Sequence, residues 1–412
     1  MKPSYKPINI ALIFDQEVSS GGGYQQGINA ALLALRINPK LANILFFHTK
    51  NSLKNNLKNN GIHSELININ ILKKLYLYIK TTEKFRVIYK FFKLIFDFNF
   101  FEAYLEKREI DLVYFISPSR YALDLEKINF IFTIWDLCHR DHIEFPEIKL
   151  KGEFENRELR INYAIKRAIS IIVDSEYGKS NLSQKYNFEE KRICVIPFEP
   201  ILETKEKIIL SRKLFDLIDK YKIRNKYIFY PAQFWPHKNH IYILKAINIL
   251  EKKHNIKISI VFSGGDKGNK EKINLYSKKI GIQDRLIFTG FISNKELIAL
   301  YKNSIALVMP TFFGPTNLPP LEAFNLGVPV IYPDSNGLRE QVGDAALLIN
   351  LSDPNTLSNC LLKLLNNNDL KNDLIERGYK RAKENKNYDR IGALENILIS
   401  FISKYTTFQN MT

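Results

Sequence analysis

Cysteine is scarce in this 412-residue chain: Cys138, Cys194 and Cys360 are the three, far apart and without metal-ligand spacing. That scarcity excludes a disulfide scaffold and a thiolate metal site, and fits a reducing compartment. No run of about 18 uncharged apolar residues occurs, so no membrane-spanning helix is expected. The opening Met1-Lys-Pro-Ser-Tyr-Lys-Pro7 enters a strand-like run directly, with no leader core, so the expected location is the cytoplasm. No two aspartates are spaced Asp-x-Asp, and one widespread carboxylate device for holding a metal is therefore missing. No metal and no separate cofactor are expected. Acids are also short, 43 against 60 Lys and Arg, for a net charge of +17. A surplus of that size suits nucleic acid, an anionic membrane or a phosphorylated ligand. Part of it is plain Lys/Asn bias, as in the run Asn51 to Asn60. With no aromatic-basic RNA motif and no DNA-reading module, nucleic acid is not an expected partner.

What is present is a large apolar fraction, 45%, over a length that exceeds one ordinary core. Two domains are expected. Short runs rich in Ile, Val and Phe alternate with helical patterns, the signature of βαβ units and parallel sheets. The strand candidates of the first half are Ile8–Phe14, Asn43–His48, Asp111–Ile116, Phe130–Trp135, Ile171–Val173 and Ile193–Ile196. Those of the second half are Tyr227–Tyr230, Ile256–Phe262, Leu286–Thr289, Ile305–Met309, Pro329–Tyr332 and Ala345–Ile349. A charged, weakly patterned stretch, Glu203 to Arg224, separates them. The expected fold is α/β, two doubly wound Rossmann-like domains over residues 1–202 and 203–388. Ligands of such sheets sit beyond the carboxyl ends of the strands, so a cleft between the lobes is the expected site.

Two loops carry chemistry on local grounds. After Met309 the chain runs Pro310 to Leu318 and meets Pro319-Pro320, where a helix is expected to start at or just after the prolines. The amides of Thr316, Asn317 and Leu318 are then free to face an anion at a helix N-terminus. Glu322, in the same turn, can accept hydrogen bonds from sugar hydroxyls, or be no more than a dipole-favoured acid. After the first strand, Gly21, Gly22 and Gly23 open an Ala/Leu-rich helix, which allows backbone amides close to a phosphate or simply a tight turn. The dinucleotide fingerprint fails here, because Gln26 stands where its third glycine belongs and no acid ends the next strand. A nicotinamide-dependent oxidoreductase is thereby disfavoured.

The segment Phe313-Gly-Pro-Thr-Asn-Leu-Pro-Pro-Leu-Glu322 resembles the donor-sugar nucleotide motif of family 4 retaining glycosyltransferases, which have the two-lobed GT-B fold. That motif holds two Glu eight positions apart; here Glu322 is the second, and Gly314 replaces the first. Tyr230-Pro-Ala-Gln-Phe-Trp-Pro-His-Lys-Asn-His240 is similar to the family's Arg-Lys-Asn motif, with Lys238 in the Lys position and His237 in that of Arg. The resemblance implies that Lys238 neutralises a leaving diphosphate, that Glu322 holds ribose hydroxyls, and that Thr316 or Asn317 stands in for the missing Glu. It implies nucleotide contacts at Gly264, in Ser263-Gly-Gly-Asp-Lys-Gly268, and at Phe291. Thr133 to His142 supplies Asp136, His139 and His142 near the donor sugar, where Trp135 replaces the usual His. The implied activity is transfer of a hexose, of mannosyltransferase type, from a nucleoside diphosphate-sugar to a glycan or lipid-linked acceptor in surface polysaccharide synthesis. A sugar-nucleotide epimerase or hydrolase and a polyanion-binding protein are the alternatives. The resemblance also implies that a last helix, within 389–412, returns to the first domain.

Residues Lys73 to Lys93 hold seven basic residues against Glu83 alone. Phe85, Ile88, Phe92 and Phe96 fall on one helical face, with Arg86, Lys90 and Lys93 on another. Such a face packs into a core or rests on an anionic membrane surface, which makes peripheral contact at the inner face of a membrane through residues 73–96 an expectation.

Overall fold

The computed structural model describes residues 6–15, 22–93, 98–200, 217, 219–223, 226–314 and 316–409. Gly21, Phe96 and most of the charged stretch from Glu203 lie outside them. Two compact units divide the chain. One comprises Met1–Glu144, Ile148–Phe198 and Asp389–Thr412; the other comprises Phe145–Glu147 and Glu199–Tyr388.

The first unit is a parallel sheet of β1 (Ile8–Phe14), β2 (Ala42–His48), β3 (Ser64–Leu66), β4 (Leu112–Phe115), β5 (Asn129–Thr133), β6 (Ser170–Val173) and β7 (Ile193–Val195). Its strand order is β3-β2-β1-β4-β5-β6-β7. Alternate residues of β1 feed opposite faces: Ala11 and Ile13 enter one core cluster, Ile10, Leu12 and Phe14 the other. A strand buried on both sides must be apolar throughout, which is why these runs show little alternation. Helix Arg390–Gln409 closes the second cluster with Leu394, Leu398, Phe401 and Ile402. Its start is fixed by Arg390 Nε donating to the Pro197 carbonyl at 2.9 Å.

The second unit is a parallel sheet of β8 (Tyr227–Pro231), β9 (Ser259–Ser263), β10 (Leu286–Gly290), β11 (Leu307–Val308), β12 (Val330–Pro333) and β13 (Ala346–Ile349), in the order β10-β9-β8-β11-β12-β13. Only two residues of the expected run Ile305–Met309 form the regular strand. The flanking residues still bond to the neighbouring strands, Ile305 N–H to Tyr227 O at 2.8 Å and Met309 N–H to Ile331 O at 3.1 Å. β3 was not foreseen, because Ser-Glu-Leu is a three-residue edge strand with no apolar run to mark it.

The basic stretch divides into helices Ile71–Lys80 and Arg86–Lys93. One lysine turns inward: Lys80 Nζ meets buried Asp124 at 2.6 Å. The expected apolar face is only partly covered. Phe85 packs against Tyr78 with ring centroids 5.7 Å apart, yet Ile88 is 47% exposed, beside Val87 at 68% and Phe91 at 69%.

Candidate functional site

Chain order reverses between β8 and β11. The chain builds β8, β9 and β10 outward, then returns to place β11 on the other flank of β8. Loops leaving the carboxyl ends of such neighbours diverge and expose a crevice, the usual ligand position in a doubly wound sheet. In this unit the two loops are 232–239 and 309–317. They are joined by Phe312 N–H donating to His237 O at 2.9 Å, and Tyr230 Oη anchors the first through Lys238 O at 3.1 Å. Asn239, at φ 54°, turns the chain from the short helical turn Pro236–Lys238 into helix His240–His254. Asn tolerates that left-handed geometry better than most residues.

Lys238 is brought to the second loop by this arrangement. Its ammonium lies 3.2 Å from Asn317 Oδ1 and 3.5 Å from Thr311 Oγ1, both neutral groups. Asn317 caps helix Leu318–Leu326, which begins one residue before the proline pair rather than at or after it. The Asn317 N–H is not open to a ligand, because it donates to Gln341 Oε1 at 3.0 Å. Asn317 Nδ2 donates to Tyr332 Oη at 2.6 Å, and Tyr332 donates to Gln341 Oε1 at 3.1 Å, so a closed buried network sets the Asn317 oxygen against Lys238. Among the described residues the amides of Thr316 and Leu318 have no partner. Those two groups, not three, remain for an anion.

Gly314 explains why the first Glu of the family motif is absent. It sits at φ 107°, and a Cβ there would lie 3.1 Å from Asn317 Oδ1, the oxygen that meets Lys238. A side chain at this position would be strained and would displace the Asn317 side chain. The departure is thus built into the loop, and Asn317 Nδ2 uses the space to donate to Gly314 O at 2.8 Å.

Glu322 lies in the second turn of the helix rather than the first, and is 4% exposed. Tyr301 Oη donates to its Oε2 at 2.8 Å. Burial lifts the carboxyl to about 7 against the opposing Tyr301 hydrogen bond, since a desolvated carboxylate favours its neutral form. It is the one acid of this loop and helix, and it titrates near neutrality.

The remaining expected positions divide. His237 is 9% exposed, stacks on Phe313 at 4.0 Å between centroids, and holds Glu147 Oε1 through Nδ1 at 2.5 Å. Both partners belong to the same unit, and they occupy the ring face and Nδ1 of the residue expected to stand in for Arg. Gly264 is required by backbone crowding: at φ 147°, a Cβ would fall 2.5 Å from Ala232 O. Its N–H bonds Gly290 O at 3.0 Å, so its role here is to let the loop after β9 pass the loop after β8. Phe291 is 64% exposed over Gly265, open to stacking.

In the first unit, Asp136 accepts from Arg157 Nη1 at 2.8 Å and from Cys138 N–H at 3.0 Å. Burial pushes its carboxyl up, but Arg157 and the Cys138 bonds win and hold it at about 2. His139 is fully enclosed, with Nε2 on Glu158 Oε1 at 2.7 Å and its ring against Phe154. The expectation of a ligand-facing His139 is not met. Gly22 begins helix Gly22–Ala34 and is exposed; Gly23 is half-buried; Gly21 lies outside the described residues. Sequence reasoning passed over Asp15, at the end of β1. It accepts hydrogen bonds from Ser117 Oγ at 3.2 Å and from Ser119 Oγ at 2.5 Å. β1 and β4 are the switch-point neighbours of this sheet, and polar residues ending both strands were the available signal.

Residues 216–381 match the family model described as Glycosyl transferases group 1. Among curated proteins the chain is similar to O-antigen chain mannosyltransferase B of Escherichia coli, 24% identical over 58% of this chain and 62% of that one. It is also similar to O-antigen chain mannosyltransferase RfbU of Salmonella typhimurium, 25% identical over 47% of this chain and 50% of that one. The chain thus spans less than two thirds of the length of these relatives. Among solved structures, Anabaena HepE in complex with UDP-glucose matches with a TM-score of 0.72 and 15% identity, covering 96% of this chain and 100% of that one. WaaG, a glycosyltransferase involved in lipopolysaccharide biosynthesis, matches with a TM-score of 0.65 and 13% identity over 94% of this chain and 98% of that one. These likenesses show the fold, which is GT-B.

Proposed function

We propose that this chain, a member of the glycosyl transferases group 1 by its residues 216–381, is a retaining glycosyltransferase. In this reading it moves a hexose, mannose first, from a nucleoside diphosphate-sugar to a glycan or lipid-linked acceptor of a surface polysaccharide. The observation that carries the reading is the convergence of Lys238, Asn317 and the start of helix Leu318–Leu326 at the switch point of the second sheet. Leaving-group departure puts negative charge on the diphosphate. A fixed ammonium and two helix-start amides meet that charge without reorganising.

The acceptor hydroxyl oxygen bonds to the anomeric carbon as the bond from that carbon to the phosphate oxygen breaks. The hydroxyl proton passes to the departing phosphate on the same face, so no carboxylate nucleophile is needed. Glu322, with Tyr301 on one oxygen, offers the other to sugar or ribose hydroxyls. Charge compensation by Lys238 and the amides makes a metal unnecessary in this scheme, which a chelator added to the assay checks. Activity unchanged by chelation supports it.

A membrane surface is part of the same proposal. Ile71 at 83%, Leu72 at 73% and Phe91 at 69% exposure stand among Lys73, Lys74 and Lys90. Exposed apolar side chains with lysines close by in sequence suit the boundary of an anionic bilayer. No helix of the described residues is long and apolar enough to cross a membrane. Flotation with anionic vesicles tests this: Ile71→Glu with Phe91→Glu is expected to abolish association, and unchanged flotation would remove the membrane from the proposal. The transfer reading is tested by incubating the protein with nucleotide-sugars and acceptor and assaying for glycoside product. Consumption of donor without any acceptor-dependent product would point to a hydrolase instead.

A further inference from the structure

The first unit holds a cavity of about 880 Å³ lined by none of the catalytic or nucleotide-site residues expected from the sequence, though Tyr78 and Lys84 of the basic stretch 73–96 reach it. Asp15, Tyr78, Thr81 and Arg120 line it and also line a smaller neighbouring one of about 180 Å³, so the two meet at the switch point between β1 and β4. Its walls carry Lys84, Arg120, Lys149, Lys151 and Arg160. Four acids face them, and two of these are already committed. Glu83 pairs with Arg86, and the single oxygen Glu153 Oε1 is shared by Arg157 at 2.9 Å and Arg160 at 3.3 Å. Arg157 has a second carboxylate in Asp136, whereas Arg160 has only its share of Glu153 among the described ion pairs. The Arg160 side chain is 21% exposed, and Glu153 together with the nearby charge of Asp15 does not offset its burial. Arg120 forms no ion pair among the described residues, and its guanidinium sits 5.8 Å from the Tyr78 ring centroid.

We propose that this cavity takes the acceptor as a phosphorylated saccharide, its phosphate held by Arg120 and Arg160 and a sugar hydroxyl donating to Asp15. Cations reaching in from several elements suit the dispersed charge of a phosphate better than a single carboxylate, which one Arg fork would satisfy. Asp15 is fixed for the second task by the two serine hydroxyls on its oxygens, at the floor where the cavities join. The volume exceeds that of a phosphate alone and accommodates the sugar. The proposal deepens the glycosyltransferase reading and rests on it.

The test uses the full chain and isothermal titration, with hexose 1-phosphates and 6-phosphates against the same hexoses unphosphorylated. A lipid-linked sugar phosphate in detergent serves as a separate arm. Wild type is expected to bind a phosphorylated probe at least tenfold more tightly than its neutral counterpart. Arg120→Gln and Arg160→Lys are each expected to lose at least tenfold. Binding in the soluble arm or only in the lipid arm supports the proposal and tells the source of the phosphate. Arg120→Gln changes an exposed side chain, so it keeps the test sound if Arg160→Lys fails to fold. Equal affinity for phosphorylated and neutral sugars, or unchanged binding in Arg120→Gln, overturns the proposal. Nucleotide-sugar binding by the same wild-type sample separates the two failures. If donor binds and sugar phosphates do not, this inference alone falls. If sugar phosphates bind and no nucleotide-sugar does, the transferase reading falls.

Discussion

Replacing Glu322 by Gln should make the stability of the protein less dependent on pH, and the size of the effect follows from burial. The Glu322 carboxyl rises from 4.5 to about 7 because the folded chain withholds solvent from its charged form. Below about pH 4 the group is neutral folded or unfolded, and the shift costs nothing. Between pH 4.5 and 7 the unfolded chain releases a proton that the folded chain keeps, so folding stability falls as pH rises. Above 7 the loss is complete and amounts to roughly 3 kcal/mol, from about 1.4 kcal/mol per unit. Gln keeps an oxygen for Tyr301 but has no charge to lose. Whatever constant cost its extra N–H groups bring, that cost is the same at every pH. The difference in unfolding free energy between Glu322→Gln and wild type should therefore grow in favour of the variant by about 3 kcal/mol from pH 4.5 to 8.5. Urea unfolding at five pH values, read by tryptophan fluorescence, measures it. At roughly 2–4 °C per kcal/mol for a unit of this size, thermal melts should show the same trend. A difference that stays flat across that range would refute the reasoning.

Three further outcomes follow from the same geometry. Lys238→Ala should lower the transfer rate by on the order of 10²–10³-fold while the fold, read by circular dichroism, is unchanged, because it removes a charge fixed opposite the leaving diphosphate. Gly264→Ala should destabilise the second unit by roughly 2–4 kcal/mol in urea unfolding, because its Cβ would meet Ala232 O at 2.5 Å on a backbone with φ 147°. Lys80→Ala should cost about 3–5 kcal/mol by leaving Asp124 buried without its cation, and Lys80→Ala with Asp124→Asn should recover much of that in the same experiment.

The sheets were legible because a strand buried on both faces has to be an unbroken apolar run, and such runs stand out between helices. Ser64–Leu66 has no such run and was missed. Lys238 and the 316–318 loop were legible as separate motifs, and what joins them is the adjacency of β8 and β11, which periodicity does not encode. The histidines were hard to read for a physical reason. His139 and His237 end or follow strands as ligand-facing histidines do, and only the fold shows Glu158 and Glu147 waiting for them. Gly314 read as a loss, whereas its positive φ and the packing of Asn317 make a glycine the residue that fits. Asp15 is a lone acid at a strand end, and its worth depends on Ser117 and Ser119 from the loop after β4, about 100 residues later.

The most direct measurement of the central claim is acceptor-dependent sugar transfer from a panel of GDP-, UDP-, ADP- and dTDP-sugars, run with wild type and Lys238→Ala in parallel. The account predicts one preferred donor, an α-linked product of retained configuration by NMR, and near-complete loss in the variant. Turnover equal in both proteins, or no donor bound by the wild type, would contradict it.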